Sequence, residues 1–190
     1  MDKRNIIDAE TGIWNIELAE KRHRYDPNLA EGIVKIFKSV RSVADLGCGL
    51  GHYCKFLKEQ GIPLVHGYEG TQNIQKIAAY DDVMILDLTK KRWVEISYNL
   101  VICIEVGEHI PKKYEQIFID NVCEFTKKFL ILSWAIPGQG GRGHFNEQPN
   151  EYVISKFVEK GLRLERKKTK FLREASGLKW FRNSIMVFRK

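Results

Sequence analysis

The chain has 190 residues, of which 44% are hydrophobic and 29% charged, a length and balance that fit one soluble globular domain with a sizeable core. No apolar run approaches a membrane span, and Met1-Asp2-Lys3-Arg4 leads into a mixed amphipathic stretch without the apolar core of a signal peptide, so a cytoplasmic protein without membrane insertion is expected. Formal net charge is +7, with much of the excess in Arg163, Arg166, Lys167, Lys168, Lys170 and Arg173; such a run either attracts phosphates or is a solvated face of exposed strands, and the second reading is the simpler.

The first forty residues read as mostly helical, with Asp26-Pro27 starting one helix. They lie either across a ligand mouth as a lid or beside the rest of the fold as a packing segment. Val43 to Leu46 reads as a short buried strand ending in a glycine turn. Tyr53 to Gln60 is a helix stopped by Gly61-Ile62-Pro63, and Leu64 to Tyr68 a second strand. Thr71 to Ala79 reads as a helix, Val83 to Leu86 as a third strand, and Leu100 to Glu105 as a fourth. Pro111 opens a helix to about Thr126, and Phe129 to Trp134 is a fifth strand. A Gly- and Pro-rich loop from Ala135 to Pro149 leads to a helix ending near Lys160. Two late runs, about 162–172 and 178–188, alternate like paired antiparallel strands. Strand–helix alternation implies an α/β domain whose parallel sheet is covered on both faces. Residues 1–190 are read as one domain, with 1–40 the N-terminal segment and 41–190 the core.

The strongest local signal is Asp45-Leu46-Gly47-Cys48-Gly49-Leu50-Gly51, where a strand ends, glycines turn the chain and a helix begins. Glycine lets backbone approach a ligand without a Cβ in the way. The dinucleotide pattern puts its third glycine three positions after the second; here the interval is two, and Asp45 precedes the loop. An acid there is awkward beside a pyrophosphate but acceptable beside a charged amino group. Two further acids, Glu69 and Asp87, close the second and third strands. This set resembles class I S-adenosylmethionine-dependent methyltransferases. The resemblance implies a Rossmann-like, seven-stranded, mostly parallel sheet with a C-terminal antiparallel hairpin. It also implies S-adenosylmethionine as cofactor, held by Asp45, Gly47, Gly49, Gly51, Glu69, Asp87, Leu88 and Glu105. Glu69 would accept the ribose hydroxyls, Asp87 would read the adenine amino group, and Leu88 would pack on the ring.

After the fourth strand comes Glu105-Val106-Gly107-Glu108-His109-Ile110-Pro111, at the edge where open α/β sheets bind ligands. It lacks the Asp/Asn-Pro-Pro-aromatic motif of amino-methylating DNA enzymes. It resembles the Glu-x-x-Glu-His of O-methyltransferases in ubiquinone biosynthesis and of small-RNA 2′-O-methyltransferases. That likeness implies a divalent metal on Glu105, Glu108, His109 and a later histidine, for which His144 is the candidate. Carboxylates and imidazoles suit Mg²⁺ or Mn²⁺, and an ion can lower the pKa of a substrate hydroxyl. Without a metal, Glu108 and His109 would cap the next helix, or His109 or His144 would act as base. The catalytic candidates are therefore His109, Glu108 and His144. His52 and His66 read as structural, and His23 stays open.

Cys48, Cys54, Cys103 and Cys123 form no CxxC pair and read as free thiols. The loop from Trp134 to Asn150 carries Gln139, Asn146, Gln148 and Asn150, with Arg142 and aromatics. Amides and aromatic faces suit a hydroxyl-rich acceptor such as a sugar, or else the amides satisfy the loop's own backbone. The stretch also resembles, more weakly, glycan-modifying methyltransferase domains of large DNA viruses. Three readings follow: an O-methyltransferase for a sugar, glycan or other small hydroxylated acceptor; an RNA 2′-O-methyltransferase; and a non-catalytic cofactor-binding partner subunit.

Overall fold

A computed structural model describes residues 7–92 and 95–190; Met1-Asp2-Lys3-Arg4 lies outside them. Seven strands form one sheet: β1 (Ser42–Leu46), β2 (Leu64–Glu69), β3 (Val83–Ile85), β4 (Tyr98–Cys103), β5 (Thr126–Leu132), β6 (Arg163–Leu164) and β7 (Met186–Arg189). Their order is β3-β2-β1-β4-β5-β7-β6. β1 to β5 run parallel, and β7 pairs antiparallel with both β5 and β6. Central strands are apolar on both faces because each face is covered. Val43, Leu100, Ile102 and Ile131 point into one core; Ala44, Leu46, Val101, Cys103, Leu130 and Leu132 point into the other. That is the two-residue alternation of a strand, with apolar side chains at both phases.

The first core is covered by α2 (Pro27–Ile36), α3 (His52–Glu59) and α6 (Arg166–Ala175), the second by α4 (Glu115–Phe125) and α5 (Asn150–Glu159). Two short helices, α1 (Ile16–Arg22) and α7 (Phe181–Ser184), complete the set. No described helix is long and apolar enough to cross a membrane. The four cysteines are free and buried.

Three sequence expectations need correction. The helix expected over Thr71 to Ala79 is a single 3₁₀ turn, Ile74–Lys76, entered through Asn73 in the left-handed region at φ 61°. The Thr71 backbone N–H and hydroxyl are both taken by Glu69, which holds that segment as a turn. The late runs are not two long strands. After two residues of β6 the chain forms α6, which buries Thr169 and Leu172 one helical turn apart. Gly32 of α2 makes this possible: a Cβ there would meet Ala175 and Leu172 at 3.2 Å. The antiparallel β6–β7 pair survives, joined through two helices rather than a tight turn. The basic run thus lies on a helix, where Lys168 pairs with Glu165 (3.0 Å) and Lys170 with Glu174 (3.8 Å). Finally, Pro111 precedes a 3₁₀ turn, Lys112–Tyr114, and the α-helix itself begins at Glu115.

Asp26 ties the N-terminal segment to the C-terminal part of the chain. Its Oδ1 accepts from the Leu29 N–H (3.2 Å), capping α2 behind Pro27, and its Oδ2 accepts from the Leu178 N–H (3.0 Å). The side chain is buried. Asp26→Ala removes the cap and orphans a second N–H, for an expected loss of about 2–3 kcal/mol. Urea unfolding would show this as a lower midpoint at unchanged slope, with Asp26→Asn closer to wild type; a loss within ~0.5 kcal/mol, the range of ordinary surface substitutions, would contradict it.

Candidate active site

The parallel strands end on one edge, and the glycine turn follows β1 there. Gly47 and Gly49 adopt φ 74° and 57°, a region that disfavours side chains. A Cβ on Gly47 would lie 2.4 Å from Val106, and one on Gly49 2.7 Å from the His23 ring. The Gly49 N–H donates to Glu69 Oε2 (2.9 Å), while Glu69 Oε1 accepts from the Thr71 N–H and hydroxyl (3.0 Å each). Glu69 therefore clamps the turn as well as facing the cavity. Asp45 at the end of β1 is 3% exposed, and burial raises its pKa to about 7. Asp87 follows β3. Burial pushes its pKa up, but the Thr89 N–H and hydroxyl on Oδ1 and Lys90 near Oδ2 outweigh that and hold it below the ordinary value. Asp45, Gly47, Gly49, Glu69, Asp87 and Leu88 all line a cavity of about 780 Å³, a volume typical of small-molecule and cofactor sites. Gly51 does not line it. Gly51 instead starts α3 at φ 75°, facing Tyr80.

The N-terminal segment lies over this cavity. The Asp8 N–H donates to the Ile13 carbonyl (2.9 Å), and Ile7 bridges Trp14, closing a small loop. Gly12 (φ 77°) packs so tightly on the His109 carbonyl that a Cβ would sit 1.9 Å from it. Trp14 stacks on His23 with ring centres 5.2 Å apart and meets His109 edge-on at 5.1 Å. Burial lowers the pKa of His23, whose Nδ1 has no partner. Thr11 to Trp14 and Arg22 to Arg24 line the cavity, whereas Leu29, Ala30 and Ile33 of α2 pack in the core beside the sheet.

Beyond β4, Glu105 sits at φ 56°, a strained conformation for a side-chain-bearing residue, of the kind that persists where surroundings enforce it. Its N–H donates to Ser133 Oγ (2.8 Å). Its carboxylate accepts from Ser133 Oγ (2.7 Å) and Gln139 Nε2 (3.0 Å). Burial raises its pKa, against these bonds. Glu108 is 0% exposed, and neither carboxylate oxygen has a hydrogen-bond partner. Burial first, then the Glu105 charge, push its pKa well above the usual range.

His109 Nδ1 lies 2.9 Å from the Gly143 carbonyl. A carbonyl only accepts, so Nδ1 carries the proton and Nε2 keeps its lone pair. Burial, with His144 and His23 nearby, lowers its pKa to about 4, so the ring is neutral at pH 7. His144 Nδ1 lies 2.9 Å from Glu147 Oε1, a carboxylate that this bond holds below its usual pKa; its Nε2 is likewise free to act as a ligand. The His109 and His144 rings are 5.1 Å apart, edge to face. Glu108, His109 and His144 each offer a donor atom within 4.8 Å of the others. Two imidazole lone pairs, each oriented by an oxygen on the other nitrogen, and one unpartnered buried carboxylate fit a divalent ion. Glu105, expected in the same set, is not in this group: its oxygens serve Ser133 and Gln139. Glu108 stands behind the cavity wall, whereas Glu105, His109 and His144 line it.

Three of the four loop amides expected to face an acceptor are used internally. The Asn146 amide donates to Glu115 (2.8 Å), and the residue's backbone carbonyl accepts from the Trp134 indole (2.6 Å). Gln148 donates to Asn146 (2.6 Å), and Asn150 to the Asn183 carbonyl (2.8 Å). Only Gln139 lines the cavity. Sequence reasoning missed Trp14, Ser133 and Glu147. Glu147, three residues after His144, carried a readable signal; Ser133 becomes apparent only once β4 and β5 are known to pair.

A family model described as a methyltransferase domain matches residues 18–131. No curated protein sequence matches the chain. Among solved structures, magnesium protoporphyrin IX methyltransferase from Synechocystis PCC 6803 with bound SAH gives a TM-score of 0.60 at 21% identity, covering 85% of this chain and 80% of that one. The methyltransferase domain of bacterial CtHen1-CN gives 0.60 at 18% identity, over 86% and 98%. SAM-bound CalS10, an amino pentose methyltransferase from Micromonospora echinaspora, gives 0.64 at 11% identity, over 91% and 94%. With its family match spanning more than half its length, on a fold shared with cofactor-bound methyltransferases, this chain belongs to the class I S-adenosylmethionine-dependent methyltransferases.

Proposed function

We propose that this methyltransferase methylates a hydroxyl of a sugar or another small hydroxylated acceptor, with a divalent ion assisting. The observation that carries this is the Glu108, His109 and His144 cluster at the chemical end of the cavity. Asp45 would face the cofactor's ammonium, Glu69 its ribose and Asp87 its adenine, while Gly47 and Gly49 leave room for it. When bound, S-adenosylmethionine supplies a methyl group already activated on sulfonium. The chain's task is then to align the acceptor oxygen and handle its proton. Trp14 and Gly12 exclude water from above, and Ser133 with Gln139 fixes the Glu105 carboxylate. Glu108, His109 and His144 would hold Mg²⁺ or Mn²⁺, whose chemistry is to bind the acceptor oxygen and lower its pKa. The low pKa of His109 favours a ligand over a strong base. The fold likeness to an amino pentose methyltransferase supports the sugar class.

An RNA 2′-hydroxyl is the second reading. It is favoured by the Glu-x-x-Glu-His likeness of Glu105 to His109. The basic helix α6 argues against it, because Lys167, Lys168 and Lys170 do not line the cavity.

Cofactor binding tests the first layer. Gly49→Val should abolish calorimetric binding of S-adenosylmethionine, and Glu69→Ala should weaken it by about 1.5–3 kcal/mol; unchanged affinity in both would remove the assignment. Proton linkage tests Asp45. Its free-state pKa of about 7 must fall when it pairs with an ammonium, so binding takes up no proton but releases one below pH 7. Affinity should drop by up to about tenfold per unit as pH falls below 7 and level off above it. Asp45→Asn should flatten that profile, and an unflattened profile would place the titration elsewhere.

Turnover tests the chemistry. Chelator should stop methyl transfer and Mg²⁺ or Mn²⁺ restore it. His109→Ala should lower turnover by about a hundred- to ten-thousand-fold while cofactor affinity holds. Chelator-insensitive turnover that still needs His109 would make that histidine the base and end the metal reading.

A further inference from the structure

Charge is segregated around the cavity. The acidic lining residues, Asp45, Glu69, Asp87 and Glu105, are buried or partly buried. The basic ones, Arg22, Arg24, Arg142 and Lys179, are all exposed and so form its rim. None of these four has an ion-pair partner among the described residues, unlike Lys112, Lys160, Lys168 and Lys170 elsewhere on the surface. The rim cations come from three separate parts of the chain: the end of α1, the loop after β5, and the turn between α6 and α7. Arg22 has a second role, since it sits in the last turn of α1 where a cation meets free carbonyls. Arg24, Arg142 and Lys179 have no such role.

Resting on the O-methyltransferase reading above, we infer that the acceptor carries an anionic group, a phosphate or a carboxylate, close to the hydroxyl that receives the methyl. Asp45 would answer the cofactor's ammonium, and the cofactor's single carboxylate can engage one arginine beside His23. Arg142 and Lys179 then remain unanswered by protein or cofactor. Arg142 and His144 belong to one loop and both line the cavity, so an anion held by Arg142 would sit on the acceptor side. A cleft whose rim has one sign concentrates ligands of the other sign, and charge-assisted bonds to an anion orient the attached hydroxyl. A cavity of about 780 Å³ under the N-terminal loop fits a small anion better than a polymer.

The test uses the whole chain saturated with S-adenosylhomocysteine and titrated calorimetrically with inorganic phosphate and, separately, acetate. The tighter-binding anion identifies the group. Both anions should weaken by about tenfold in the Arg142→Gln, Lys179→Gln double variant, and thermal melts would confirm its fold. Replacing Lys167, Lys168 and Lys170 with glutamine should leave anion binding unchanged. In matched pairs of a sugar with its phosphate monoester or its uronic acid, the anionic member should be methylated with at least about tenfold higher kcat/KM. Absent anion binding, equal use of neutral members, or binding of a polynucleotide alone with loss in the α6 variant would each overturn the inference. Product analysis separates the two layers. Oxygen methylation indifferent to Arg142 and Lys179 sinks only this inference, whereas methyl found on nitrogen sinks the O-methyl reading beneath it.

Discussion

Five parallel strands force one arrangement on this molecule: the carboxyl ends of β1 to β5 all reach the same edge. Residues distant in sequence therefore meet there without any long-range design beyond strand pairing. Asp45, Glu69 and Asp87 gather because each follows or ends a strand. Glu105 meets Ser133 because β4 and β5 pair in register up to Cys103 and Leu132. The chain order reverses on either side of β1, which leaves a crevice between the segments after β1 and β4. The glycine turn fills the floor of that crevice, and Glu69 holds the turn in place through the Gly49 N–H.

Carboxylates brought together in this way are costly when buried. An ionised group with no hydrogen bond and no countercharge is expelled from an apolar interior or takes up a proton. Glu105 escapes the difficulty through Ser133 and Gln139, but only in a backbone conformation strained by about 1–3 kcal/mol. Glu108 has no such relief. Its surroundings are the opposite of a helix cap, the alternative role open to it in the sequence: its backbone carbonyl is used by Phe145 and Asn146, while its side chain faces the two histidines. A group kept in that state makes physical sense where a proton or a cation joins it.

The core of the fold was legible because buried parallel strands are continuous apolar runs and glycines mark the turns. The acids at the strand ends were legible for the same reason. His144 was found through chemistry rather than spacing, and its ring does meet His109. The segment from Arg166 to Ala175 misled because its charges mask a helix held chiefly by Thr169, Leu172 and the close approach of Gly32; that contact joins residues more than a hundred positions apart. The loop amides misled because hydrogen-bond capacity is visible in a sequence but its satisfaction is not. Asn146 and Gln148 spend theirs on Glu115 and on each other. Trp14 gave no signal at all, since a single aromatic in an aperiodic stretch has no period to read.

The loop from Ile7 to Trp14 is closed on itself by one β-bridge and the turn bonds of Asp8, and is held to the rest of the molecule by ring contacts, the Gly12 approach and the exposed Lys113–Glu10 ion pair. Its opening breaks none of the ladders that hold the sheet. Local unfolding free energy scales with the buried contacts surrendered, so this segment sits at the low end of the protein's stability range. Trp14 touches both His23, over the glycine turn, and His109, at the chemical end. One excursion of that loop therefore uncovers both ends of the cavity together. A loop placed in that way would couple the exchange of spent cofactor to the departure of product.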